Sequence, residues 1–176
     1  VSIDPKTYVY DGKEKKPAVT VSYGGKTLTE GKSYSCVYAD NTDAGTATVT
    51  IKGENAMHGQ IVEEFTIDKA KQKVPTGLVA TAETVDGKND GQISNLKTSM
   101  EYSVDKRKWL DCESTVLKKL ADGNYYVRYK ETKNYYASPA AKVVVKKGNV
   151  PATNEPTTNE PTTNEPSTEK PTSSEQ

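Results

Sequence analysis

The chain is poor in the residues that build most active sites and most large cores. Its 176 residues hold one histidine, one tryptophan, one phenylalanine and two cysteines. A single histidine cannot supply a histidine-rich metal centre. Nucleophilic catalysis of the serine–histidine kind needs a nucleophile, a base and an orienting acid held together, and the polar loop NAMHG at 55–59 offers His58 no such company. Cys36 and Cys112 fall in what the strand pattern makes separate units, so no disulfide is expected between them. No apolar run approaches the ~20 residues of a membrane helix, so no membrane insertion is expected. Acidic and basic residues balance at 24 each, without the basic excess of a nucleic-acid binder. The chain opens directly in strand-like VSID without a signal-peptide pattern, which makes it read as a piece of something longer, open at both ends.

Two acidic loops invite a metal reading and fail it on spacing. A calcium loop of the EF-hand type needs oxygen ligands at alternate positions and a distant glutamate. In DGKNDG at 86–91, glycine and lysine occupy places where ligands belong, so the segment reads as a turn. The run Asp40-Asn41-Thr42-Asp43 reads the same way. Paired carboxylates for glycoside hydrolysis need a cleft with about 5–9.5 Å between them, and units this small with short connections leave little room. The expectation is therefore no catalytic residue, no cofactor and no metal.

What the chain does have is period-two alternation broken by turn residues. Val19, Val21 and Tyr23 alternate with Thr20 and Ser22, and Gly24-Gly25 then signals a hairpin, both glycines tolerating positive φ. Tyr34, Cys36 and Tyr38 share a face, as do Ala47, Val49 and Ile51, then Ile61, Phe65 and Ile67. Glu63 interrupts that last face, which places it near an edge or a strand end. The polar run KAKQK at 69–73 marks a boundary. Beyond it, Gln92-Ile93-Ser94, then Met100 and Tyr102 alternating with Glu101 and Ser103, resume the pattern. The turn DKRK at 105–108 follows, and the chain returns through Trp109, Leu117 and Leu120. Tyr125, Val127 and Tyr129 face inward while Tyr126, Arg128 and Lys130 face out, and Val143 and Val145 close the unit. No window has helical periodicity. Short strands at close spacing with Gly/Asn/Asp turns predict an all-β chain of two small sandwiches in tandem, 1–69 and 70–148.

The remaining segment, 149–176, cannot fold on these terms. Proline recurs every fifth residue from Pro151 to Pro171, removing backbone donors, and Val150 is its only aliphatic residue larger than alanine. Five glutamates against one lysine favour extension. At ~3.1 Å per residue such a disordered linker reaches roughly 85 Å. Its Thr/Ser/Pro composition also suits O-linked sugars.

The first unit resembles an Ig-like repeat of large surface proteins of Clostridia and related Firmicutes. The resemblance rests on YDGK at 10–13, PAVTV at 17–21, YGGK at 23–26, YSCVY at 34–38, NTDAGTA at 41–47 and FTI at 65–67. It implies that Cys36 is a buried thiol. The second unit, through MEYSVDKRKWLDC at 100–112, LADGNYYVRYK at 120–130 and ASPA at 137–140, resembles another module of those proteins and also a fibronectin type III domain. In that domain a leucine and a turn glycine precede a corner tyrosine; Tyr125 sits one residue short of the leucine spacing, while Tyr126 fits it but leaves Val127-Arg128 one residue early. The resemblance implies a non-catalytic spacer of a secreted or cell-surface bacterial protein, monomeric, with flanking domains of the same polypeptide as partners. The alternatives are a carbohydrate-binding module beside a polysaccharide-degrading enzyme, with Trp109, Tyr135 and Tyr136 as its sugar platform, and an adhesin arm binding a cell-surface protein. Stalk domains of this setting also carry lysine–asparagine isopeptide crosslinks, which stay open at this point.

Overall fold

The computed structural model describes residues 1–149. The predicted linker, apart from Asn149, lies outside the described residues. Among the described residues every regular element is a strand. Eight strands precede residue 69: β1 (Ser2–Asp4), β2 (Thr7–Val9), β3 (Ala18–Thr20), β4 (Ser22–Tyr23), β5 (Lys26–Thr27), β6 (Tyr34–Ala39), β7 (Gly45–Gly53) and β8 (Gln60–Asp68). Seven follow: β9 (Val79–Thr81), β10 (Gly91–Ser94), β11 (Met100–Ser103), β12 (Leu110–Asp111), β13 (Val116–Leu120), β14 (Gly123–Tyr129) and β15 (Ala141–Val145).

In the first half a four-stranded sheet runs β2-β8-β7-β6, with β2 parallel to β8 and the other pairs antiparallel. β1 pairs instead with β3, so the chain changes sheet within a few residues of its start. β7 alternates as expected, with Ala47, Val49 and Ile51 buried and Thr46, Thr48 and Thr50 turned outward. β-branched residues on both faces suit a pleated strand. Those three join Ile3, Tyr34, Phe65 and Ile67 in one core, over which Tyr8 stacks edge-on to Phe65 at 5.9 Å. The hydroxyls of Tyr34 and Tyr38 donate to the carbonyls of Val19 and Pro17, tying β6 to the smaller sheet.

Two alternation expectations need correction here. Val19 to Tyr23 is not one strand. β3 ends at Thr20, and Tyr23 sits in the β4–β5 hairpin with its ring 71% exposed. The hairpin itself is as expected, with Gly24 and Gly25 at φ 54° and 75° between the paired Tyr23 and Lys26. Ile61 is likewise exposed, although its β7 partner Ile51 is buried, because it lines an open groove beside Tyr23 and His58. Glu63 does lie at an edge. β2 covers only Thr66–Asp68, which leaves that part of β8 unpaired on its outer side.

The second half has a three-stranded sheet, β13-β10-β9, and a four-stranded sheet, β12-β11-β14-β15. Both contribute to one core: Ile93 and Leu120 from the first, Met100, Tyr125, Val127, Val143 and Val145 from the second. The two sheets come close enough at Gly91 that a Cβ there would lie 2.5 Å from Val145 Cγ1. Of the two adjacent tyrosines, Tyr125 is the one turned into the core. Its buried ring sends the hydroxyl to the carbonyl of Ala121 at 3.0 Å, closing the turn between β13 and β14. Ser103, expected on an outward face, is buried and organises the charged turn. Its Oγ accepts from the amides of Asp105 and Lys106, and Asp105 in turn accepts from those of Arg107 and Lys108. The two cores share no residue and fall on either side of Lys69.

Candidate functional site

The strongest constellation of polar side chains lies where the two halves meet. The loop after β14 is shaped by Thr132, whose Oγ1 accepts from the amides of Asn134 and Tyr135 and whose own amide donates to the Tyr135 carbonyl. That turn projects Lys133 and Asn134 toward the loop between β6 and β7. Asn134 Nδ2 donates to Asp43 Oδ1 at 2.9 Å, and Asn134 Oδ1 accepts from the Ala44 amide at 2.8 Å. Lys133 Nζ reaches Asp43 Oδ2 at 2.8 Å. These bonds, from Lys133 first and Asn134 second, hold the Asp43 carboxyl below its ordinary value, and Asp43 raises the Lys133 ammonium in return. Beside them Tyr10 meets Tyr135 edge-to-face at 5.3 Å.

The polar run at 69–73, expected as a boundary, is sewn down rather than loose. Ala70 forms a parallel bridge with Tyr135: its amide donates to the Asn134 carbonyl, and its carbonyl accepts from the Tyr136 amide. Gln72 Nε2 donates to the carbonyls of Lys130 and Tyr136. Lys69 pairs with Glu131. The connection thus becomes an extra edge of the second half, and the short link keeps the first half against it.

The proposed sugar platform is divided. Tyr135 and Tyr136 belong to the joint, where Tyr135 spends one ring edge on Tyr10. Trp109 lies over the outer face of β11 and β14, with the Arg128 guanidinium 3.7 Å from its ring centre and Arg128 Nε donating to Glu101 at 2.7 Å. Cation–π stacking of this kind fixes the indole from one side. Neighbouring Tyr126 carries Lys106 at 4.3 Å in the same manner.

The remaining candidates behave as local structure. His58 is exposed, on the rim of a groove of about 330 Å³ with Tyr23, Tyr34, Met57 and Ile61. Cys36 and Cys112 are both free, Cys112 fully buried and Cys36 only partly, and burial pushes each thiol up to about 11. The buried lysine is Lys15, whose ammonium meets Asp11 and stands 5.9 Å over the Tyr8 ring. Asn41 turns its amide to the Lys15 backbone carbonyl and not to the amine, which is not the pairing a lysine–asparagine crosslink requires.

In the turn at 86–91, Asp90 accepts from the amide and hydroxyl of Thr84, and these bonds lower it to about 2. The structure also brings Glu83, Asp86 and Asp122 together, their oxygens within 4.8 Å of one another, a grouping that turn spacing did not reveal. Buried Glu83 is engaged by the amides of Gly87 and Asn89, and Asp86 by Lys147, so these carboxylates close the turn.

The joint itself was missed by sequence reasoning, which set Asp43 aside as part of a turn. Asp43 and Asn134 stand 91 residues apart, so no local spacing connects them. No family model matches the chain, and neither the curated proteins nor the solved structures yield a match.

Proposed function

We propose that this chain is a non-catalytic spacer of a secreted or cell-surface multidomain bacterial protein. It consists of two Ig-like sandwiches in series, 1–69 and 70–148, followed by the proline-rich tether. The observation that carries the reading is the joint. A chain that only needed two independent modules would have no use for an asparagine that satisfies both ends of its amide on the neighbouring module. Fixing the relative orientation of two folded units turns them into an arm of defined reach. Inter-domain motion is otherwise the default.

The sandwich assignment draws support from strand order. Lettered as an immunoglobulin-type fold, β9, β10 and β13 take the places of A, B and E, and β12, β11, β14 and β15 those of C′, C, F and G. Tyr125, at the start of the F position with its hydroxyl bonded four residues upstream, matches the tyrosine corner of such folds. The first half is a simpler variant, since β6 and β7 follow one another directly in its larger sheet. The surface setting draws on the resemblance of residues 10–67 to clostridial surface repeats and on the tail composition. Asp43, Asp86 and Asp90 are each bonded to lysines or to neighbouring polar groups of the fold, which suits a structural role.

A panel of polysaccharides and cell-wall fragments presented to the isolated chain tests this against the binding-module alternative. A spacer gives no saturable binding. Saturable binding lost in Trp109→Ala or Tyr136→Ala, with the fold retained, overturns the proposal in favour of a carbohydrate-binding module.

A further inference from the structure

Charge is distributed unevenly along the chain. Residues 70–149 carry fifteen lysines and arginines against nine acidic residues, a net of +6. Residues 150–176 carry five glutamates against one lysine, a net of −4. The half with the excess of cations is followed directly by the segment with the excess of anions. β11 and β15 flank β14 and are both antiparallel to it, so they run in the same direction and end near Gly123 of β14. The turn after β11 and the residues after β15 therefore emerge at one end of the sheet. The first supplies Lys106, Arg107 and Lys108, and the second Lys146, all exposed.

The outer face beside that end adds to them. Tyr126 turns outward between the core residues Tyr125 and Val127. Lys142 stands directly opposite it on β15, on the same face, and Lys106 lies over its ring at 4.3 Å. Several neighbouring cations are already engaged: Arg128 by Glu101, Lys130 by Asp111 and Lys147 by Asp86. Among the described residues no acidic side chain pairs with Lys106, Arg107, Lys108, Lys142 or Lys146. The joint with the first half follows Tyr129, at the other end of β14, and does not cover this one.

We propose that the acidic segment 155–175 docks on this end of the second half, its glutamates against Lys106, Arg107, Lys108, Lys142 and Lys146. Connectivity brings it there. Beyond β15 the chain follows residues 83–85, with the Glu83 amide bonded to the Lys146 carbonyl and Asn149 bridged to Val85. β15 and β11 are two strand spacings apart, about 10 Å. Glu155 comes six residues after Asn149, a reach of up to roughly 19 Å. The later glutamates, at 160, 165, 169 and 175, recur closely enough that several positions of the segment satisfy the same cations. Attachment at Asn149 also gives the segment a millimolar effective concentration, which favours it over an anion from outside.

One exposed lysine–glutamate pair contributes little, so the docking is the sum of several and is open to screening. The Debye length falls from ~30 Å at 0.01 M salt to ~3 Å at 1 M. The segment is therefore held close in dilute salt and released in concentrated salt, and ionic strength sets its reach beyond the fold. The inference is independent of the spacer reading, since it uses only charges within this chain.

A nitroxide on Ser167→Cys of the full chain, read through its broadening of backbone amide signals, tests this. The natural chain treated in the same way corrects for any label on Cys36. At ~20 mM salt the amides of 106–108 and 142 broaden on the order of threefold more than at ~500 mM. Glu155→Gln, Glu160→Gln, Glu165→Gln and Glu169→Gln together remove that excess and touch neither core. Broadening that is equal at the two salt concentrations, or that survives the four substitutions, overturns the proposal. Excess broadening passed from a nitroxide-bearing chain to a separate isotope-labelled chain makes a second copy's segment the occupant and overturns it. Added polyglutamate that shifts these amides equally in the full chain and in the glutamine variant makes an outside polyanion the occupant, and overturns it too.

Discussion

Asn134 in the second half gives its amide nitrogen to Asp43 at 2.9 Å and takes the Ala44 amide on its oxygen at 2.8 Å, both partners belonging to the first half. One side chain thus satisfies a carboxylate and a backbone donor across the joint. Because the donor and the acceptor are at opposite ends of one amide, the contact specifies orientation as well as proximity.

Asn134→Ala removes both bonds and leaves each core untouched. The expected result is unchanged melting of each half together with less correlated tumbling of the two in NMR relaxation, the Lys133–Asp43 pair and the Tyr10–Tyr135 contact remaining. Asn134→Asp is the sharper variant. It keeps an acceptor for Ala44 but sets a carboxylate against Asp43, and loosens the joint at neutral pH more than alanine does.

The joint is also pH-dependent, with a sign that follows from its two charges. Asp43 is held below 3.8 in the folded chain, so its contribution is fully present above that value and is lost as pH falls through the depressed one. Lys133 is raised above 10.5, so its contribution is present below that value and is lost as pH rises through the raised one. The two halves should therefore tumble together across the neutral range and separate at either extreme. Relaxation measured along an acid titration checks the first limb. Added salt weakens only the Lys133 pair, which is exposed and screened.

Tyr125→Phe deletes the hydroxyl that closes the turn onto Ala121. The net cost of one such bond is about 1 kcal/mol, which lowers the second half's melting temperature by roughly 5 °C. Tyr126→Phe, on the outer face, leaves it unchanged. Equal effects at the two positions would contradict the corner assignment.

Phe65→Ala opens a cavity in the first core at a cost of about 3–5 kcal/mol. Each half holds one free thiol of raised pKa, slow to react at neutral pH while its half is folded. In Phe65→Ala the labelling of Cys36 should accelerate while that of Cys112 does not. Parallel acceleration of both would mean that the halves unfold as one.

The strands were legible because their burial is a period-two property of adjacent residues. Ala47, Val49 and Ile51 read as an inward face and are one. Where the reading failed, a turn or a contact distant along the chain was the reason. Tyr23 continues the alternation of Val19 and Val21, but Gly24-Gly25 ends the strand pairing before that face reaches the core. Ser103 alternates as an outward residue and is drawn inside by the turn it caps. The leucine spacing did not choose between Tyr125 and Tyr126, while the alternation set Tyr125 inward, as its buried ring and its hydroxyl's bond to Ala121 show. The joint left no local trace, since Asp43 and Asn134 each look like an ordinary turn residue until the fold brings them together.

The central claim is that the two halves form one rigid arm. Backbone N–H residual dipolar couplings of the full chain in a dilute aligning medium test it most directly. A rigid arm gives couplings from residues 1–68 and 70–149 that fit a single alignment tensor on this structure. Two tensors of different magnitude, one for each half, would contradict it.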